Sequence, residues 1–228
     1  MSVHKYNMGI IGNCSYMAYI DTMANVKWMC MPRFDSSFLF GSLVDEKRGG
    51  NFYIMPDGEQ YENSQYYIPN TNVLCTEFAT SAGRFKVIDC APRMTMHERS
   101  FKPLMLIRKI EVVSGNPVIK ISCQPRGNYG QIVPEVVVGS NHIRYLGLDS
   151  QVRITTDVPL SYILKERSIV LDQDKYIVLT YGEPLEAPLE ETAADFISKT
   201  IKYWQAWGKR CYIPHIYQSE IIRSALIL

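Results

Sequence analysis

Between Met8 and about Gly182 the chain is a succession of short apolar runs, each closed by residues that turn the backbone. No gap between them holds the long helical stretch that a return to a parallel strand requires, so neighbouring strands are expected to pair antiparallel. The clearest unit is a hairpin of Asn72 to Thr80 and Arg84 to Cys90, broken at Ser81-Ala82-Gly83. Leu74, Thr76 and Phe78 share one face of it with Phe85 and Val87, and that face should point into a core. Leu104 to Val113 is a second strand, closed by Ser114-Gly115-Asn116-Pro117, after which Val118 to Cys123 runs back. Val136–Val138, Ile143–Leu146, Gln151–Thr155 and Tyr176–Tyr181 read as further strands, and Tyr16–Asp21 with Phe52–Met55 complete a first sheet. The pattern predicts an all-β fold, a large antiparallel two-sheet β-sandwich, and 228 residues suffice for one large core of that kind.

The composition changes after Gly182. Glu183-Pro184-Leu185-Glu186-Ala187-Pro188 is a proline-punctuated linker, and Glu190 and Glu191 suit the positive end of a helix that follows. Ala193, Phe196, Ile197, Thr200, Trp204 and Trp207 recur at roughly helical spacing as one apolar stripe, and Gly208 with Lys209 and Arg210 stops it. Trp204 and Trp207 are expected to clamp this helix onto its neighbour. A second helical pattern starts near His215, includes Ile221, Ile222, Ala225 and Leu226, and reaches Leu228. The predicted division is a sandwich over residues 1–182, a linker and linker helix over 183–210, and the start of a further helix over 211–228. That last helix is apolar and uncapped, which predicts a partner surface, either in a longer chain or by self-association.

A net charge of +1 argues against nucleic acid as a general partner, since phosphate backbones are held by basic surfaces. No apolar run is long enough to span a membrane, and the polar opening Met1–Tyr6 lacks the apolar core of a secretion signal. The chain reads as cytoplasmic and independent of membranes. The cysteines at 14, 30, 75, 90, 123 and 211 and the histidines at 4, 97, 142 and 215 show no tight ligand spacing. Neither a metal nor another cofactor is expected. If Ala82-Gly83 is a two-residue turn, Cys75 falls opposite Cys90, although a reducing compartment opposes a disulfide there. Gly9 and Gly12 form neither a dinucleotide nor a Walker pattern.

Function is expected on the stretch Trp28-Met29-Cys30-Met31-Pro32-Arg33-Phe34-Asp35-Ser36. Pro32 should end the strand Val26 to Cys30 and present Arg33, Phe34 and Asp35 on a loop. Arg33 and Asp35 can pair with each other as a structural turn, or together grip a hydroxyl-rich ligand. Trp28 is expected in the core. Tyr61, Tyr66 and Tyr67 cluster in what reads as a polar loop, a surface for domain packing or for stacking sugar rings. The Gly127-Asn128-Tyr129-Gly130 run reads as a turn able to present Tyr129 and Arg126 at an edge. No two carboxylates stand in a recognisable cleft pair, and no nucleophile has a histidine near it in the sequence, so no catalytic residue is assigned.

Gly12-Asn13-Cys14, Ile20-Asp21, Trp28, the Pro-Arg-Phe-Asp-Ser run, Phe40, Leu43 and Gly49-Gly50 fall in an order that resembles the trehalase-like N-terminal domain of glycoside hydrolase family 15. The resemblance continues at Pro69-Asn70-Thr71, Val73-Leu74, Phe78, Gly83, Val87 and Asp89. It resumes at Pro125 to Gly130, Tyr203 to Trp207 and Arg223 to Leu226. It implies a super-sandwich placed before an (α/α)6 barrel whose catalytic acid and base lie beyond Leu228, in an inverting enzyme acting on trehalose or an α-glucan. Residues 211–228 would then be the stub of the barrel's first helix, the chain a fragment inactive by itself, and the downstream barrel its partner. Arg33, Phe34 and Asp35 are the expected substrate-binding loop at the active-site rim. A stand-alone carbohydrate-binding or purely structural sandwich is the alternative.

Overall fold

The computed structural model describes residues 7–58 and 60–227. The opening Met1–Tyr6, with His4, and the final Leu228 lie outside the described residues. The order of elements is β1 (Met8–Gly12), β2 (Met17–Asp21), β3 (Val26–Cys30), β4 (Phe38–Phe40), β5 (Asn51–Pro56), β6 (Tyr61–Tyr67), β7 (Leu74–Thr80), β8 (Gly83–Cys90), β9 (Met94–Met96), β10 (Arg99–Phe101), β11 (Met105–Gly115) and β12 (Val118–Gln124). Then come β13 (Glu135–Val138), β14 (His142–Leu146), β15 (Val152–Thr156), α1 (Leu160–Leu164), β16 (Ile169–Val170), β17 (Lys175–Tyr181), α2 (Leu189–Gly208) and α3 (Gln218–Ile227).

The expected all-β sandwich is what forms. One layer is an eight-stranded antiparallel sheet in the order β13-β14-β15-β17-β11-β8-β7-β6. The facing layer is made of two smaller sheets, β1-β2-β3-β4 and β16-β12-β5, joined by a bridge from Asn25 to Tyr53. Ile11, Ile20, Met29, Phe40, Phe52 and Ile54 of the small sheets share a core with Phe78, Phe85, Leu106, Ile154 and Leu179 of the large one.

β11 shows how the sequence sets the layers. Successive side chains of a strand point to opposite faces. Leu106, Arg108 and Ile110 therefore enter the sandwich, whereas Met105 and Ile107 face outward. The outward side would be exposed, but the buried stripe Ala193, Ile197, Thr200 and Trp204 of α2 lies across it, and a second core forms around Val73, Cys90, Ile107 and Val178. The inward Arg108 is wholly buried. It donates to Asp89 from Nε (2.7 Å) and Nη2 (3.3 Å), to the Phe52 carbonyl (2.7 Å) and to the Ala24 carbonyl (2.5 Å). The guanidinium also lies 4.5 Å from the Phe52 ring centroid. One side chain thus ties the large sheet to both small ones.

Several expectations are corrected. Tyr61, Tyr66 and Tyr67 belong to no loop: they sit on the edge strand β6, paired residue for residue with β7. Trp28 is only half-buried and tilts against Phe38 at 5.5 Å instead of entering the core. Tyr16–Asp21 and Phe52–Met55 go to different sheets, because β5 pairs with the distant β12. The β7–β8 turn is Ser81-Ala82, since Thr80 pairs with Gly83. Cys75 then faces Ile88 and not Cys90, and all six cysteines are free.

Candidate functional site

β1 and β2 are joined by a tight turn over 13–16, and β3 and β4 by the loop 31–37, so both connections emerge at the same end of their sheet. Asn13 organises the first. Its Nδ2 donates to the carbonyls of Pro92 (3.1 Å) and Pro103 (2.8 Å), and its Oδ1 accepts from Ser15 N (3.0 Å) and Tyr16 N. Tyr16 follows into the core, donates its hydroxyl to the Met105 carbonyl, and is held well above its ordinary pKa by burial. The turn therefore presents Cys14 and Ser15 from a rigid base.

β3 ends at Cys30, as expected from Pro32, and the Met31–Pro32 peptide is cis. Ser36 closes the loop: its hydroxyl accepts from Arg33 N (3.2 Å), and its own N–H donates to the Arg33 carbonyl (3.2 Å). Arg33 grips Asp35 through Nε–Oδ1 (3.0 Å) and Nη2–Oδ2 (3.2 Å), with side chains 76% and 72% exposed. Phe34 between them is 53% exposed. The exposed pair itself contributes roughly 0–1 kcal/mol to stability. Its planar array of donors and acceptors is nonetheless the kind that meets vicinal hydroxyls.

Two hollows adjoin this loop. A groove of about 560 Å³ is lined by Cys14, Ser15, the Pro32–Asp35 run, Lys102 and Leu104. An apolar cleft of about 380 Å³ shares Cys14 and Phe34 with it and continues between β1–β2 and the helices, where Trp204, Trp207 and Leu226 close it. Ser37 ties a third loop to this one, because its hydroxyl accepts from Tyr129 N (2.8 Å). The Tyr129 ring, 62% exposed, stands edge-on to Phe38 at 6.1 Å. The 127–130 turn thus puts Tyr129 at an edge.

The sequence assigned no role to the residues that fix the cleft, although Arg223 stands in the run Arg223 to Leu226 that carried the resemblance. Arg93 donates to the Asn13 carbonyl (2.8 Å) and lies over the rings of Tyr203 and Trp204 at 5.1 and 5.4 Å. Asn72 donates to the Leu226 carbonyl (2.7 Å) and accepts from Arg223, whose guanidinium covers the Tyr67 ring at 3.9 Å. A polar residue next to a proline or a turn was the visible signal, and it does not distinguish a clamp from an ordinary loop. Among the described residues no cluster of three His, Cys, Asp or Glu side chains is placed to hold a metal ion. No helix of the described residues is long and apolar enough to cross a membrane.

The model of the family described as trehalase-like, N-terminal, matches residues 3–159. The chain is 27% identical to the trehalase of Thermoplasma volcanium, an alignment covering 96% of this chain and 36% of that protein. It is 25% identical to the trehalase of Mycolicibacterium smegmatis, covering 96% and 37%. It is 30% identical to trehalase 1 of Sulfolobus acidocaldarius, covering 87% and 33%. The chain thus spans about a third of the length of the curated relatives it matches.

Proposed function

Because this chain belongs to the trehalase-like N-terminal family, we propose that it is the non-catalytic sandwich domain of an inverting α-glucoside hydrolase of the trehalase or glucoamylase kind. An (α/α)6 barrel in the same polypeptide would carry the catalytic acid and base. The sandwich, residues 1–182, would brace the barrel through the linker helix of 183–210, and residues 211–228 would begin the barrel's first helix. The exposed apolar residues Tyr212, Ile216 and Tyr217 would rest on that barrel, or on a second copy of the chain when it is missing.

The observation that carries this reading is the loop Pro32–Ser37. Its backbone is closed on itself by Ser36, yet Arg33, Phe34 and Asp35 spend almost nothing of their chemistry on the sandwich. A mutually paired arginine and carboxylate beside an exposed ring, none of them needed by the sandwich, is what a rim contact to a sugar can use. Arg33 and Asp35 would hydrogen-bond sugar hydroxyls, and Phe34 would pack against a ring face. In a polypeptide containing the barrel, Arg33→Ala should lower kcat/KM for the preferred α-glucoside about tenfold or more, a loss of ~1.4 kcal/mol of transition-state binding, with unchanged melting temperature. Unchanged kcat/KM would overturn the rim role.

A further inference from the structure

The outer face of the large sheet carries a second polar constellation, away from the loops just described. In the β14–β15 pairing Arg144 stands directly opposite Arg153, and His142 opposite Thr155. Residues two apart on a strand share a face, so these four side chains form a square on one side of the sheet. Their neighbours Ile143 and Ile154 point the other way, into the core. The linker runs beside the Arg153 and Thr155 half of this square, and a groove of about 550 Å³ between them is lined by Asn141, Arg153, Thr155 and the Pro184–Leu189 run, Glu186 included.

This arrangement is costly as it stands. Like charges directly opposite on a sheet destabilise it. Nε of Arg144 and Nε of Arg153 are both buried without a hydrogen-bond partner, and neither guanidinium pairs with an acid among the described residues. Glu186, on the linker, acts on Arg153 through space without forming an ion pair. Thr155 is 3% exposed, and its hydroxyl is also without a partner, although it lines the groove. A buried hydroxyl left unmade costs free energy that a bound acceptor would recover. Burial, and then the charges of Arg153 and Arg144, hold His142 below its ordinary pKa, which marks a positive field at this point. The start of α2 adds to it: Pro188 caps the helix with no side-chain hydrogen bond, and Pro188 and Leu189 both line the groove. Free backbone N–H groups at a helix start favour an anion, with Glu190 and Glu191 in the first turn opposing.

We propose that this groove binds a tetrahedral oxyanion, a phosphate either free or as the terminal group of a phosphomonoester. The Arg153 guanidinium, the Thr155 hydroxyl and the Asn141 amide line the groove from different directions, with Arg144 adding its charge from the next strand, and a phosphate accepts from several directions where a carboxylate accepts in one plane. The groove is also larger than one phosphate, and Pro184, Leu185, Ala187 and Pro188 give it an apolar end where the rest of an ester would lie.

The test is calorimetry and thermal melting of the intact chain with inorganic phosphate, glucose 6-phosphate or acetate, each against sodium chloride of equal ionic strength. Phosphate should raise the melting temperature saturably. Arg153→Met should weaken its Kd about tenfold or more, and Arg153→Lys should recover only part of that loss. Thr155→Val should raise the melting temperature of the free protein and weaken phosphate binding, and Glu186→Gln should tighten it. Thr155→Val is close in shape to the parent and serves if Arg153→Met fails to fold. Tighter binding of glucose 6-phosphate than of phosphate identifies an ester ligand; equal or weaker binding identifies free phosphate. No rise beyond chloride, equal binding by acetate, or binding unaffected by Thr155→Val with Arg153→Lys would overturn the proposal.

Discussion

Arg108→Met is the substitution that most directly probes what holds the two layers together. In the native protein burial pushes the Asp89 carboxyl up, and the Arg108 guanidinium pulls it back. The substitution keeps the length of an unbranched chain but removes both donors to Asp89 and the donors to the Phe52 and Ala24 carbonyls. Breaking a buried pair by removing one partner costs about 3–5 kcal/mol. Each orphaned carbonyl would add about 1–3 kcal/mol if it found no water. Protonation of Asp89 limits the first loss, so about 4–6 kcal/mol at neutral pH is expected, against a total stability of about 5–15 kcal/mol for a domain. At about 2–4 °C per kcal/mol for a chain of this size, the melting temperature should fall by roughly 8–24 °C. The sign of the pH dependence is a second readout. With Arg108 gone, only the upward push on Asp89 remains, so its folded pKa lies further above the unfolded value than in the parent. The variant's deficit relative to the parent should then grow as pH rises from the parent's folded pKa to the variant's higher one, and shrink as pH falls back below the parent's. Urea unfolding of the parent, Arg108→Met and Asp89→Leu/Arg108→Met at pH 4.5 and 7.5 gives all the terms. The double variant should be more stable than the single one at pH 7.5. A loss below about 1 kcal/mol, or a double variant no better than the single, would refute the buried strut.

Two further outcomes follow from the 41–50 loop. A Cβ on Gly49 would strike the backbone of Gly41 and Ser42, which cannot turn aside as a side chain can, so Gly49→Ala should cost about 1–3 kcal/mol by thermal or urea unfolding. Asp45 accepts from Lys47 N, Arg48 N and Arg48 Nε, and these contacts, the Arg48 backbone first, hold its carboxyl below the usual range. Its contribution is present above the unfolded value near 3.8 and is lost as pH falls through the lower folded value. Asp45→Asn should therefore flatten the acid limb of a melting-temperature profile, which a pH series on both proteins would show.

The strands with strict alternation were legible because one face of each is apolar and the other is not. β2, β5 and β14 alternate strictly and lie where the pattern put them. β6 was missed because Tyr61–Tyr67 is an edge strand whose middle is Glu62, Asn63, Ser64 and Gln65, and an edge strand facing water carries no apolar run. Its polar side chains serve neighbouring loops, as Gln65 does by donating to the Asp21 carbonyl (2.8 Å). Sheet membership was hidden for a different reason. β5 with β12, and β17 between β11 and β15, are pairings of distant segments, which local pattern does not encode. The β7–β8 register slipped by two because Gly83 reads as a turn residue while it is the first residue of its strand. Arg108 was readable in part: it has the parity of Leu106 and Ile110, so an inward charge was implied, but its partners in two other strands and a turn were not. The loop Arg33–Asp35 was visible through Pro32, whereas the square of Arg144, Arg153, His142 and Thr155 exists only once β14 and β15 are in register.

Glucose release from trehalose and from maltooligosaccharides, measured side by side on this 228-residue chain and on a polypeptide in which it is followed by an (α/α)6 barrel, tests the central claim most directly. Release is expected from the longer polypeptide alone, with the sandwich contributing a rim and a brace. Release by this chain in isolation would contradict it and would place a complete catalytic pair within the sandwich.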